Sequence, residues 1–181
     1  MAHFEKTLTS EPIFDGRVIR VTLDSVELEN GKTSTREVVH HHGGAGIAAL
    51  TENGEIYLVR QYRYALGREL IEIPAGKLEK DEDPFLAAQR ELGEETGLVA
   101  DTYLNLGDFI PTCGYCSEII YLYAAKHLHM AEQHLDEDEF VSVFTLPLGD
   151  AVEKVLSGEI QDGKTVAAIL KLSALRARGA F

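Results

Sequence analysis

The chain has 181 residues, of which 45% are hydrophobic and 26% are charged, and its formal net charge is −13. This composition is typical of a globular protein that can bury a core. Its acidity argues against the basic surface that broad nucleic-acid binding requires. The sequence contains no apolar run near the roughly 20 residues that span a bilayer and no signal-peptide pattern. We therefore expect a cytoplasmic protein without nucleic-acid or membrane partners.

The N-terminal part of the chain has the pattern of β-strands. Apolar and polar residues alternate over 19–24, which is the period of a half-buried strand. Asn30-Gly31 predicts a tight hairpin turn, because both central positions of such a turn favour a positive φ. Residues 33–40 would form the returning strand, and Gly43-Gly44 then interrupts the pattern.

This interruption separates a predicted N-terminal β region, residues 1–42, from a predicted main domain, residues 43–181. In the main domain, strands are predicted at 45–50, 55–63, 68–73, 103–109, 118–126 and 140–146, and helices at 84–96, 147–157 and 162–177. The first two of these strands are predicted to pair with each other through a short turn. The order of elements predicts an α/β fold with a mixed sheet held between helices.

The helix over 84–96 carries the residues of greatest chemical interest. Asp83 is a suitable N-cap, Pro84 a suitable first residue and Gly97 a suitable C-terminal stop. Spacings of three and four residues place its glutamates at 91, 94 and 95 on one face, where their charges repel. A hard divalent cation would relieve that repulsion through oxygen ligands. A solvated charged face would carry the same residues, so their spacing on the helix does not decide between the two.

The residues around these glutamates offer further ligands and supports. Gly76 allows the backbone to approach a ligand closely, so that a backbone carbonyl of this loop could add another oxygen ligand. Arg90 could pair with Glu82, or with another glutamate, and hold the helix against its loop. Two or more Mg²⁺ ions bound here could activate a water and neutralise the charge of a leaving phosphate.

The full spacing matches a known motif. From Gly76 the chain gives five residues, Glu82, seven residues, and then Arg90-Glu91-Leu92-Gly93-Glu94-Glu95-Thr96-Gly97-Leu98. This pattern is identified as the Nudix box at every defined position. The resemblance implies an α/β/α sandwich with a mixed sheet, beside the small N-terminal β region. It also implies hydrolysis of a nucleoside diphosphate linkage with Mg²⁺ or Mn²⁺.

The resemblance also implies roles for individual residues. Glu91 and Glu95 match metal ligands of the family, with Glu94 and the carbonyl of Ala75 as further ligands, and Glu95 matches a catalytic position. Gly76, Glu82 and Arg90 match supporting positions.

Two segments before the box resemble one subfamily in particular. Residues 58–63, Leu-Val-Arg-Gln-Tyr-Arg, and 69–76, Glu-Leu-Ile-Glu-Ile-Pro-Ala-Gly, are similar to the ADP-ribose pyrophosphatase subfamily. This implies hydrolysis of ADP-ribose to AMP and ribose 5-phosphate by a homodimer that exchanges its N-terminal β region. It also implies that Arg63 contacts the diphosphate, in the bidentate manner open to a guanidinium, and that Glu72 lies close to the substrate. An ordinary surface position on a strand remains the alternative for Arg63.

Two later segments extend the resemblance. The acidic cluster 136–139 matches a loop that carries the catalytic base in related pyrophosphatases, which implies Glu139 first and Glu137 second. A mobile acidic loop tip is the alternative. Gly114 matches a substrate-binding glycine, although Cys113 stands where many ADP-ribose hydrolases have proline. Another NDP-sugar or a dinucleotide therefore remains an alternative substrate, and a non-catalytic ADP-ribose sensor an alternative function.

Overall fold

The computed structural model describes residues 3–134 and 140–181, and the chain divides into two compact units. The first unit comprises the chain up to residue 43 together with 110–119, and the second comprises 44–109 and 120–181. The segment 110–119 thus groups with the N-terminal unit, although it lies between two strands of the second unit. The domain boundary at residues 42 and 43, with the exchange of the N-terminal region, stays a prediction.

The first unit contains an antiparallel three-stranded sheet in the order β1-β2-β3. Its strands are β1 (Lys6–Asp15), β2 (Arg20–Glu27) and β3 (Thr33–His40). The predicted turn between β2 and β3 is longer than expected, because Glu27 pairs with Thr33 across a connection of residues 28–32. Gly31 alone takes a left-handed φ there, of 76°. The side chain of Asn30 instead accepts a hydrogen bond from the Lys32 amide, which stabilises the wider turn.

The second unit contains two sheets and three helices. Its strands are β4 (Gly44–Ala49), β5 (Glu55–Arg63), β6 (Arg68–Glu72), β7 (Ala75–Lys77), β8 (Leu98–Phe109), β9 (Ile120–Met130) and β10 (Val141–Pro147). Its helices are α1 (Pro84–Thr96), α2 (Leu148–Leu156) and α3 (Gly163–Ala177). One sheet has the order β7-β4-β9-β8 and the other β10-β5-β6. Because β4 runs parallel to β9 and the other neighbours are antiparallel, the prediction of a mixed sheet is confirmed.

The predicted pairing of β4 with β5 is wrong. The two strands lie in different sheets and share one isolated bridge, between Leu50 and Ile56. Both edges of β4 are already occupied, by β7 on one side and β9 on the other. A short turn signal between two strand patterns therefore predicted a local hairpin that the tertiary structure does not form.

Strand β4 is covered on both faces, which gives the second unit its layers. Ala45, Ile47 and Ala49 pack in one core with the helix α1 residues Ala87, Ala88 and Leu92. Ala48 packs in the other core with the helix α3 residues Ala168, Ile169 and Leu172. Successive side chains of a strand point to opposite faces, so one strand serves both cores. The prediction of an α/β/α sandwich is confirmed.

Helix α1 begins and ends where the sequence predicted. The Asp83 carboxylate accepts hydrogen bonds from the amides of Phe85 and Leu86, at 2.9 and 3.2 Å, and Pro84 is the first helical residue. Gly97 ends the helix with a φ of 67° and donates its amide to the carbonyl of Gly93. Among the helices in the described part of the chain, none is both long and apolar enough to cross a membrane.

The strand β7 approaches helix α1 so closely that a side chain at residue 76 would displace the carboxylate of Glu91. A Cβ placed on Gly76 would lie 1.8 Å from Oε1 of Glu91, far inside van der Waals contact. The glycine therefore brings the backbone of β7 directly against a glutamate of the box.

We predict opposite effects for alanine at two glycines of the box. Gly76→Ala should lower the free energy of unfolding by about 1–3 kcal/mol or more, because the new methyl group collides with Glu91. Gly93→Ala should raise it by about 0.5–1 kcal/mol, because alanine has the higher helix propensity and its Cβ would meet its nearest neighbour at 3.8 Å. Denaturation with guanidinium chloride measures both. Equal destabilisation of the two variants would contradict the close approach at residue 76.

Candidate active site

Arg90 lies among the carboxylates of α1 and the loop before it. Its Nε and Nη2 donate hydrogen bonds to the two oxygens of Glu82, at 2.9 and 3.1 Å. Its Nη1 donates to Glu91 and to Glu94, at 2.8 and 2.7 Å. Nη2 also donates to the carbonyl of Lys77, at 3.3 Å. One guanidinium therefore joins the helix to its preceding loop and offsets the repulsion between two glutamates of one face.

The ionisation of this cluster follows from those contacts. The hydrogen bond from Arg90 holds the pKa of Glu82 below its ordinary value, and the amide of Glu79 acts in the same direction. The bond to Glu82 and the charge of Glu91 raise the pKa of Arg90, although burial opposes the increase. Both groups are therefore charged at neutral pH, and their pairing holds the loop on the helix.

Two of the three box glutamates on α1 are buried. Glu91 and Glu95 are 7% and 2% exposed, whereas the side chain of Glu94 is 38% exposed. One oxygen of Glu95 accepts a hydrogen bond from the amide of Ala75, at 3.1 Å. Glu91 lies against Gly76. The buried carboxylates therefore face the backbone of β7, which is the side predicted for a carbonyl ligand from Ala75.

These oxygens have the chemistry of Mg²⁺ ligands, but they do not converge. Within residues 3–134 and 140–181, no group of three or more His, Cys, Asp or Glu side chains has an arrangement that could hold a metal ion. The contacts give the reason, since Arg90 binds Glu91 and Glu94 while Glu95 accepts from β7. The ligand set of Ala75, Glu91, Glu94 and Glu95 stays a prediction.

Arg63, at the end of β5, forms a bidentate pair with the buried Glu72 of β6. Nε and Nη2 of Arg63 donate to the two carboxylate oxygens, each at 2.6 Å. Glu72 is 1% exposed, and the side chain of Arg63 is 41% exposed. The guanidinium thus reaches from a buried anchor to the surface. The hydrogen bond to Glu72 raises the pKa of Arg63, burial opposes the increase, and the charges of Glu72, Asp162 and Glu95 add to it.

A second cation, which the sequence analysis did not predict, binds Glu72. Lys164, in the first turn of α3, is 8% exposed and donates hydrogen bonds to Glu72 and, at 3.0 Å, to Asp162. Burial acts to raise the pKa of Glu72, but the hydrogen bond from Arg63 and the charges of Lys164 and Arg63 lower it below its ordinary value. One signal was present in the sequence. A cation in the first turn of a helix opposes the helix dipole, and such local conflicts concentrate at functional sites.

The remaining predicted residues are Gly114, Glu137 and Glu139. Gly114 belongs to the first unit, and a Cβ placed on it would meet no described atom within 4 Å, so packing does not account for the glycine. Glu137 and Glu139, the predicted catalytic bases, lie outside the described residues.

Comparison with known proteins identifies two domains. Residues 40–169 match the NUDIX domain, and residues 5–39 match the nucleoside diphosphate sugar hydrolase N-terminal domain. A methanol dehydrogenase activator of Bacillus methanolicus is 47% identical over 167 residues, which cover 91% of this chain and 90% of that protein. An ADP-ribose pyrophosphatase of Bacillus subtilis (strain 168) is 46% identical over 167 residues, with the same two coverages.

The fold has a solved counterpart. The crystal structure of an ADP compounds hydrolase matches with a TM-score of 0.86 and 20% sequence identity, covering 100% of this chain and 99% of that one. At this identity the likeness concerns the fold, and it extends over both units of the chain. The domain match over 40–169 and the 46% identity to an ADP-ribose pyrophosphatase carry the assignment: this chain belongs to the Nudix hydrolase family and to its ADP-ribose pyrophosphatase-like subfamily, as the box over 76–98 and the motifs before it predicted.

Proposed function

We propose that this chain is an Mg²⁺-dependent pyrophosphatase that hydrolyses ADP-ribose to AMP and ribose 5-phosphate in the cytoplasm. The observation that carries the proposal is the face of α1, where buried Glu91 and Glu95 lie against β7. The 46% identity to an ADP-ribose pyrophosphatase supports the choice of substrate. The match of residues 5–39 to the N-terminal domain of NDP-sugar hydrolases keeps another NDP-sugar as the second candidate.

The oxygen donors on this face are of the type that a divalent cation binds, although among the described residues they do not form a ready-made metal-binding group. Carboxylate and carbonyl oxygens are the ligands that Mg²⁺ prefers, and Mn²⁺ accepts similar ones. Glu91 and Glu95 would hold the ion, with Glu94 and the carbonyl of Ala75 as further ligands. When bound, the ion supplies positive charge for the diphosphate and favours ionisation of a water.

The chain's own residues divide the remaining work. Arg63 would donate to an oxygen of the diphosphate, since its bond to Glu72 leaves the Nη1 hydrogens outside that pair. The oxygen of water forms a bond to one phosphorus, the bridging P–O bond breaks, and the departing phosphate takes the electron pair. Glu139, or alternatively Glu137, would take the proton from water. Both lie outside the described residues, so single Glu→Gln variants must decide between them.

The substrate assignment predicts a definite product pattern. With Mg²⁺, the protein should convert ADP-ribose to AMP and ribose 5-phosphate faster than it converts other NDP-sugars, NADH or diadenosine polyphosphates. Excess EDTA should abolish turnover, because it removes the ion whose positive charge neutralises the diphosphate. Ion-exchange chromatography of the products measures both effects.

Other outcomes of the same assay point to other functions. Faster turnover of a different NDP-sugar would contradict ADP-ribose and leave the pyrophosphatase in place. Binding of ADP-ribose without turnover of any substrate would overturn the enzyme and favour a sensor. Because one relative is a methanol dehydrogenase activator, a parallel assay of methanol dehydrogenase with and without this protein tests that second role.

A single atom change at Glu95 should separate chemistry from folding. Glu95→Gln keeps the shape of the side chain and removes its charge, and we expect kcat to fall on the order of 100-fold or more, as for loss of a metal ligand. Glu79→Gln is the matched control, because Glu79 is exposed and lies in the loop before α1. Steady-state kinetics at saturating Mg²⁺ measure both variants. Near wild-type kcat for Glu95→Gln would contradict its assignment as ligand and catalytic residue.

A homodimer that exchanges residues 1–42 is the proposed assembly. Strand β1 is exposed along its whole length, and its Ile13 and Phe14 are 58% and 54% exposed. Exposed apolar side chains on an edge strand are typical of an interaction surface, and the resemblance makes a second copy the expected partner.

This assembly predicts a concentration-dependent change in mass. Ile13→Glu should weaken the dimer by about tenfold or more, since it buries a charge in the interface. Leu156→Glu places the same charge on an exposed leucine of the second unit and should leave the dimer intact. Sedimentation equilibrium measures both variants. A monomeric wild-type protein at all concentrations would contradict the proposal.

A further inference from the structure

The ammonium group of Lys164 is buried beside the predicted substrate-binding pair. It donates hydrogen bonds to Glu72 and to Asp162, and the residue is 8% exposed. Lysine is almost never buried unless it is paired, and its position in the first turn of α3 is unfavourable for a cation. Burial and the helix dipole both disfavour the charge of Lys164, and the hydrogen bonds to its two carboxylate partners offset these costs.

The position of Lys164 is fixed from two sides. Asp162, the N-cap of α3, also accepts hydrogen bonds from the amide and the hydroxyl of Thr165, at 3.0 and 2.6 Å. The same hydroxyl accepts from the amide of Ile73, at 2.9 Å, which directly follows Glu72 in the chain. The N-terminus of α3 is thereby tied to the end of β6, and Lys164 has little freedom to leave Glu72.

The charges of this cluster balance only when Lys164 is included. Arg63 and Lys164 contribute two positive charges, and Glu72 and Asp162 contribute two negative charges. Without Lys164 the four-residue cluster becomes net negative, and the carboxylate of Glu72 neutralises Arg63 alone. A net negative cluster repels the diphosphate that Arg63 is proposed to bind.

We propose that Lys164 is a positioning residue for substrate binding: it holds Glu72 and shares its negative charge, so that Arg63 stays oriented and electrostatically available for the diphosphate. This inference rests on the proposed function. Lys164 acts through Glu72 and Arg63, so its removal should weaken recognition of the diphosphate while leaving recognition of the nucleoside unchanged. If Lys164 served only to stabilise α3, its removal would not separate recognition of the diphosphate from recognition of the nucleoside.

The test compares ligands that differ only in the diphosphate. With the full-length protein and Mg²⁺, titration calorimetry measures the Kd of ADP and of adenosine, and steady-state assays give KM and kcat for ADP-ribose. For Lys164→Met we expect the Kd of ADP and the KM to rise by about tenfold, as for loss of one buried charge partner. The Kd of adenosine should stay the same, and kcat should change by less than about threefold.

Three further variants control this comparison. Lys164→Arg keeps the charge and should recover most of the affinity for ADP. Lys164→Gln removes the charge but keeps a hydrogen-bond donor, so it replaces Lys164→Met if that variant does not fold. Lys171→Met changes a lysine of the same helix that donates to the carbonyl of Leu106, and it should leave ADP affinity unchanged. Thermal unfolding reports the folded fraction of each.

The outcomes separate this inference from the proposed function. Equal loss of ADP and adenosine affinity, or wild-type affinity for ADP in both neutral variants, would overturn the role of Lys164 even if the protein hydrolyses ADP-ribose normally. If the wild-type protein hydrolyses nothing, the proposed function fails, and the ratio of ADP to adenosine affinity still decides the role of Lys164.

A double-mutant cycle tests whether Lys164 acts through Glu72. In a Glu72→Gln background, Lys164→Met should change the Kd of ADP by less than about twofold, because residues of one network have non-additive effects. If the loss of ADP-binding free energy in the double variant equals the sum of the losses in the two single variants, Lys164 acts independently of Glu72. That result would contradict a positioning role.

Discussion

The repulsion between the glutamates of α1 is the constraint on which the site depends. Glu91, Glu94 and Glu95 lie within little more than one turn of helix, where like charges are destabilising. The described structure offsets this with a single guanidinium, because Arg90 binds Glu91 and Glu94 and reaches back to Glu82. Glu95 turns instead to the amide of Ala75. These contacts hold the three glutamates in place on the helix.

The backbone of β7 packs closely against one of these glutamates. Glu91 is buried against β7, and only a glycine at residue 76 leaves room for its oxygens. On its other side, α1 buries Ala87, Ala88 and Leu92 against β4. The apolar contacts fix the helix on the sheet, and the glycine then allows its acidic face to meet the loop. Sheet packing and site geometry are thus set by one helix.

The cluster around Glu72 is also held together by pairing of opposite charges, with the signs reversed. There a buried carboxylate holds two cations, Arg63 and Lys164, whereas Arg90 is a cation that holds several carboxylates. The charge of Glu95 is among those that raise the pKa of Arg63. The second unit therefore carries both a cation on a buried carboxylate and carboxylates on a buried cation, the two kinds of charge that the proposed function requires.

The limits of helix α1 and the family could both be predicted from the sequence. The limits of α1 follow from Asp83, Pro84 and Gly97, because capping and helix termination depend on neighbouring residues. Strand pairing and charge pairing between residues distant in sequence depend on the tertiary structure. It separated β4 from β5 by giving both edges of β4 to other strands, and it brought Lys164 to Glu72 across 92 positions. Neither result has a local cause, since strand pairing and charge pairing are settled by which surfaces the packed chain brings together.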